Sequence, residues 1–224
     1  MNDLSDRYKK INDRILTACE IAQRDPKSVK LLAVSKTKPP EMVDEFASLG
    51  QKFFGENKIQ EAQGKIPLCI SGLQWHLIGH LQSNKAKIAA TLFDMVHSVD
   101  SPKIMNALDR NAETTLPILL QVNVAGDSAK FGFKPEEVEQ IINLSCDLNN
   151  CEVHGLMTIP PFSEDLDKTR EHFCHLRELR DTLEAKTGVP LPELSMGMSY
   201  DLEAAIEAGS TWIRVGSDLF GERK

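Results

Sequence analysis

The sequence predicts an α/β fold, a single (β/α)8 barrel of the TIM type with an extra N-terminal helix. Three observations predict it. The chain has 224 residues, close to the ~250 typical of one eight-fold barrel. Short runs rich in Val, Ile and Leu alternate with longer amphipathic stretches from end to end. No region departs in composition and no internal repeat is visible, so residues 1–224 read as one domain.

The elements follow in order. Leu4, Tyr8, Ile11, Ile15, Cys19 and Ala22 recur at steps of three or four, one apolar stripe on an opening helix. Strands are predicted at Lys30–Ser35, Lys52–Phe54, Gln74–Ile78, Met95–Ser98, Pro117–Val124, Val153–Thr158, Glu193–Met196 and Thr211–Val215. Helices are predicted between them at Pro40–Leu49, Lys58–Gly64, Ser83–Leu92, Pro102–Asn111, Pro135–Leu148, Leu166–Lys186 and Leu202–Ala208. Pro40, Pro102 and Pro135 stand at first helical positions, where proline forfeits no intrahelical hydrogen bond. Gly188 and Gly209 punctuate two helix ends. The alternative architecture is an open doubly wound sheet. It would carry an early Gly-rich turn, whereas the first turn here is Ser35-Lys36-Thr37-Lys38-Pro39.

Bulk properties narrow the function. With 41% hydrophobic and 26% charged residues, the composition is that of an ordinary globular protein. The formal net charge of −7 opposes nucleic-acid binding, which needs a basic face. No apolar run approaches the ~20 residues that span a bilayer. Met1-Asn2-Asp3-Leu4-Ser5-Asp6 lacks the basic and apolar regions of a secretory signal. The cysteines, Cys19, Cys69, Cys146, Cys151 and Cys174, are odd in number and without C-x-x-C spacing, so they read as reduced thiols. A cytoplasmic protein is expected.

In such a barrel the C-terminal strand ends form the active face. Those ends carry Lys36, Asn57, His80, Gln121 with Asn123, His154 with Met157, Met196–Ser199, and Arg214–Ser217. A lysine in a barrel mouth is desolvated, which favours the neutral amine, the nucleophile for a carbonyl. The turns Ser195-Met196-Gly197-Met198-Ser199 and Arg214-Val215-Gly216-Ser217 end strands seven and eight, where barrels commonly bind phosphate. Small residues there let backbone N–H groups approach an anion, and Ser199 and Ser217 offer hydroxyls. Lysine and turns together suggest a ligand with a phosphate at one end and an aldehyde at the other. A surface lysine and two ordinary tight turns remain the bland alternative. Ala125–Phe133, the longest predicted loop, follows strand five on the same rim.

Leu32-Ala33-Val34-Ser35-Lys36-Thr37-Lys38 resembles the lysine strand of the pyridoxal phosphate homeostasis protein family. Phe54–Glu61, Trp75–Lys85, Gly155–Ile159, Leu194–Asp201 and Ile213–Gly221 resemble further motifs of that family, so the likeness covers the chain. His80 departs from it, standing where bacterial relatives often have proline. The resemblance implies pyridoxal 5′-phosphate (PLP) as cofactor, held as a Schiff base on Lys36. It implies Ser199, Gly216 and Ser217 at the phosphate and, by similarity to alanine racemase barrels, Arg214 at the pyridine nitrogen. A guanidinium only donates, so it favours an unprotonated ring nitrogen and a weak electron sink. Asn57 and Met157 are implied beside the ring or its 3′-oxygen.

Other conspicuous residues take plainer readings. His76 and His80 are spaced i, i+4, but Gly79 and the strand reading keep them off one helical face, and no metal site is expected. His172, Cys174 and His175 belong to a solvated helix face beside the stripe Phe173, Leu176, Leu179 and Leu183. Trp75 and Trp212 read as core or wall. Three functions compete. The family resemblance implies a non-enzymatic PLP carrier and buffer, with amino acids and PLP-requiring apo-enzymes as partners. The second is a weak amino-acid racemase, which needs an acid/base group on each cofactor face. Related racemases take the second group from an added β-domain across a dimer. No such domain is expected here, which leaves Tyr8 and Tyr200 as the tyrosines. The third is a protein-binding barrel with a vestigial site. A monomeric carrier is the expectation.

Overall fold

A computed structural model describes residues 3–221. Eight parallel strands close into a barrel in sequence order: β1 Lys30–Val34, β2 Phe53–Glu56, β3 Gln74–Leu77, β4 Met95–Val99, β5 Leu116–Gln121, β6 Cys151–Met157, β7 Glu193–Ser195 and β8 Trp212–Val215. Pairing of Lys30 with Trp212 and of Ala33 with Val215 seals the first strand to the last. Around the sheet run α1 Asp3–Ile21, α2 Pro40–Ser48, α3 Ile59–Lys65, α4 Ala86–Leu92, α5 Pro102–Asp109, α6 Val138–Ser145, α7 Leu166–Thr187, α8 Leu202–Glu207 and α9 Ser217–Phe220. The predicted (β/α)8 barrel with an added N-terminal helix is the observed fold.

Local chemistry sets the element ends. Pro40 and Pro102 are the first residues of α2 and α5, and the Ser101 hydroxyl accepts the Ile104 N–H. Pro135 opens a 3-10 turn ahead of α6 instead, so α6 starts at Val138. Ser83–Lys85 is likewise 3-10, and α4 begins only at Ala86. The Asp165 carboxylate caps α7 by accepting from Asp167 and Lys168, and Gly188 ends it. Strand β5 stops at Gln121 rather than the predicted Val124. Beyond it the chain is captured by its own loop: Phe133 N–H bonds to Gln121 O and Asn123 N–H to Phe133 O. The turn after Val215 winds into α9, which the sequence reading missed.

Alternation along the strands separates two apolar layers. Leu31, Ala33, Trp75, Leu77, Ile213 and Val215 face outward into the large core shared with the helices. Leu32, Val34, Ile78 and Trp212 form a separate buried cluster inside the barrel, and Met95, Leu119 and Met157 form another. Inward positions also carry His76, His97, Ser195 and Arg214, all buried, so the barrel interior has a polar spine.

Candidate functional site

At the C-terminal mouth opens a cavity of about 450 Å3, within the ~300–1,000 Å3 range of small-molecule sites. Lys36, Asn57, Ser199, Arg214, Gly216 and Ser217 all line it, together with apolar walls from Val34, Ile78 and Ile159. Six of the seven residues singled out from sequence thus meet in one place. Met157 does not line the cavity. It is fully buried beneath, packed with Met95 and Leu119, while Ile159, two residues on and therefore on the same face, reaches the mouth. Gln121 and Asn123 are spent on the rim loop. Gln121 donates to Phe131 O at 3.0 Å, and the Asn123 amide bonds to Asp127 O at 2.8 Å.

Lys36 follows β1 in a tight turn and is half-buried. Lys38 lines the same cavity, but its ammonium donates to the carbonyls of Phe220 and Gly221, each 3.1 Å away. In the same cavity, Ser199 and Ser217 bring their hydroxyls within 3.5 Å of each other. The Ser199 turn depends on Gly197, whose φ is +91° and where a Cβ would sit 2.4 Å from the Ala205 Cβ. The Asp201 carboxylate accepts the Met198 N–H at 2.6 Å and steadies the loop.

Arg214 is buried at 3% exposure. Its guanidinium donates to the Ser195 hydroxyl at 2.8 Å and to Thr158 O at 2.9 Å, both neutral acceptors. Burial accordingly lowers its pKa to about 10, opposed only by the more distant charge of Asp201. Behind Ser195 the polar spine continues. His97 Nδ1 lies 2.8 Å from Ser195 Oγ, and His97 Nε2 lies 3.0 Å from His76 Nδ1. Arginine can only donate, so the one proton of Ser195 is best given to His97 Nδ1. His97 then carries its proton on Nε2 and donates to His76. Burial lowers the pKa of His76 to about 3 and that of His97 well below the ordinary 6.5, so both rings are neutral. His80 is not part of this spine. It sits on the rim with Asp100 at 2.8 Å and stacks on Phe131 at 3.9 Å between centroids.

The residues fit a phosphorylated carbonyl ligand. Among the described residues Arg214 is a buried cation without a contacting carboxylate, and two hydroxyls and an amine line the same cavity. Asn57 Oδ1 is buried with no hydrogen-bond partner, a cost that a donor on a bound molecule would remove. Tyr200 also lines the cavity at 51% exposure, its ring tilted against Phe162 at 5.4 Å and its hydroxyl 3.4 Å from Glu164 O.

Comparison with known proteins agrees with the fold and with the family resemblance. The profile of the alanine racemase N-terminal domain matches residues 9–224. The chain is 43% identical over 223 residues to the pyridoxal phosphate homeostasis protein of Aquifex aeolicus, covering 98% of each chain. It is 44% identical over 227 residues to the protein of that name from Pseudomonas aeruginosa, covering 100% of this chain and 97% of the other. The solved structure of PipY from Synechococcus elongatus with PLP bound superposes with a TM-score of 0.85 at 37% identity, over 94% of this chain and 100% of that one. Alanine racemase from Corynebacterium glutamicum shares the fold alone, with a TM-score of 0.71 at 16% identity over 95% of this chain and 61% of its own. On motif, barrel and full-length identity together, the chain belongs to the pyridoxal phosphate homeostasis protein family, on the barrel of the alanine racemase N-terminal domain.

Proposed function

We propose that this protein binds PLP reversibly and serves as a carrier and buffer of the cofactor rather than as a catalyst. The observation that carries the reading is one cavity lined by Lys36, the two serines and buried Arg214. Lys36 Nζ would add to the aldehyde carbon and release water, leaving a Schiff base that other amines can displace. Bound PLP would supply an electron sink, which Arg214 weakens because a guanidinium offers the ring only donors. Ser199, Ser217 and the backbone at Gly216 would hold the phosphate, and Asn57 would take a donor from the ring substituents. Met157 would act from beneath, as floor rather than contact.

The proposed compartment is the cytoplasm, and the proposed state is a monomer that hands PLP to apo-enzymes or to amino acids. The five cysteines are unpaired, which suits a reducing compartment. Among the described residues no helix is long and apolar enough to cross a membrane.

A weak racemase is the second reading, and Tyr200 on the cavity wall is what favours it. The experiment is borohydride reduction of the PLP-loaded protein followed by peptide mapping. The label is expected on Lys36. Label on Lys38 or Lys85 would overturn the assignment.

A further inference from the structure

Directly behind the Lys36 turn lies a buried ion cluster that the cofactor reading does not use. Lys65, on α3, has a side chain only 5% exposed, and that of Glu56, the last residue of β2, is fully buried. The Lys65 ammonium donates to Glu56 Oε1 at 2.7 Å, to Glu61 Oε1 at 2.8 Å and to the main-chain carbonyl of Ser35 at 2.7 Å. Its three protons therefore match three acceptors. Glu61 and Lys65 are an i, i+4 pair with the acid N-terminal, the favourable order on a helix.

The same carboxylates grip the residues on either side of Lys36. The Ser35 hydroxyl donates to Glu56 Oε1 at 2.7 Å, and the Thr37 N–H donates to Glu61 Oε1. The turn is closed by Lys38 N–H on Ser35 O at 3.0 Å. Thr37 has φ +65°, a left-handed conformation that a β-branched residue adopts only when its surroundings hold it there. The Thr37 N–H and the Ser35 hydroxyl are thus both held by the cluster, and the Lys38 N–H closes the turn on Ser35 O.

A cluster of this kind is a poor source of stability. Burying the Lys65 and Glu56 charges costs about as much as their attraction returns, and an apolar filling would serve the fold as well. Glu56 Oε2 is buried without a partner, and burial raises the Glu56 carboxyl above the ordinary range despite the Lys65 and Ser35 bonds. What the cluster does supply is geometry.

We propose that Glu56, Lys65 and Glu61 form a clamp that fixes the Ser35–Thr37 turn and thereby aims Lys36 at a carbonyl ligand. They are positioning residues and touch no ligand themselves. The inference rests on Lys36 as the attachment point, so its test separates the bond at Lys36 from the rest of the cavity. The two probes are PLP and 4-deoxypyridoxine 5′-phosphate, which keeps ring and phosphate but has a methyl group where PLP has its aldehyde.

In Glu61→Ala the Thr37 N–H loses its acceptor at a side chain that is 24% exposed, while Lys65 keeps Glu56 and Ser35 O, so the barrel is expected to stay folded, as a melting curve checks. PLP affinity is expected to fall about ten-fold, the worth of one charge-assisted hydrogen bond. Affinity for the deoxy analogue is expected to stay at the parent value. Glu61→Gln, which keeps an acceptor oxygen, is expected to recover part of the loss. Unchanged PLP affinity in Glu61→Ala, or an equal loss for both probes, would overturn the clamp. No hydride-fixed label on Lys36 in the parent protein would overturn the cofactor reading, and the clamp's role with it.

Discussion

Arg14, on the N-terminal helix, donates to the main-chain carbonyl of Ser199 across 2.9 Å. The same guanidinium pairs with Glu203 on α8 at 2.7 Å and with Asp218 on α9 at 2.9 Å. The extra helix is thus tied to both turns that flank the hydroxyl end of the cavity. The Glu203 contact also holds the guanidinium pKa above its ordinary value.

Arg14→Ala should therefore do more than trim a surface charge. With an arginine side chain 25% exposed and its partner more so, the stability loss is discounted to about 1–2 kcal/mol. PLP retention should weaken alongside, because Ser199 loses its external brace. A urea midpoint and a dilution assay on one preparation test both. Lost stability with unchanged retention would show that α1 supports the fold only.

Ser199→Ala removes one hydroxyl from the proposed phosphate site. Retention of PLP should weaken by roughly 1–2 kcal/mol, the worth of one hydrogen bond to a charged group. Hydride reduction should still label Lys36. A variant that holds PLP as tightly as the parent would place the phosphate elsewhere.

Gly79 sits where a Cβ would lie 2.1 Å from the carbonyl oxygen of Asn57. The Ser98 hydroxyl fixes this residue further by donating to Gly79 O at 2.7 Å. Gly79→Ala must push Asn57 out of the cavity wall and should cost about 1–3 kcal/mol or more. Thermal unfolding and PLP retention should both fall. An unchanged melting temperature would refute the close approach.

Acid should destabilise the protein through the barrel interior. His76 and His97 stay neutral when folded, whereas unfolded histidines take up a proton below about pH 6.5. The unfolded state then binds more protons, so this stability is complete above about pH 6.5 and declines below it. For His76 the decline continues to about pH 3. Well below pH 6.5 each ring contributes a slope of about 1.4 kcal/mol per pH unit. Denaturant midpoints between about pH 7.5 and pH 5 should show this slope, and His76→Asn should reduce it by about one proton. An unaltered slope would assign the acid sensitivity to other groups.

Catalysis is the remaining test of carrier against racemase. Amino acids should exchange with the Lys36 linkage without turnover in the usual range of about 1–1,000 per second. The measurement is α-proton exchange of L-alanine and L-serine in deuterated water, with chiral analysis. Turnover in that range, abolished by Tyr200→Phe, would identify Tyr200 as a second acid/base group and sink the carrier reading.

Local patterns in the sequence sufficed for the barrel. Periodicity located eight strands, and the boundaries that moved did so for local reasons, such as the β5 end captured by its own loop. Lys36, Asn57, Ser199, Arg214, Gly216 and Ser217 line one cavity because strand ends in this fold converge on one rim. Met157 lies beneath the lining, since period-two alternation gives the face of a strand but not the depth along it. Ile78, Met198 and Ile159 lie within or beside the quoted motifs, yet only contact revealed them as walls.

By itself the sequence determined the architecture and the family, because both are written in short-range spacing and in motifs of a few residues. The tertiary structure alone decided which distant groups share a hydrogen bond. It placed His97 against Ser195, Arg14 against Ser199, and Lys65 against Ser35. Those pairings depend on closing the sheet and on seating helices around it. Hydrogen bonds need their partners within about 3 Å, and no spacing along a chain encodes that distance.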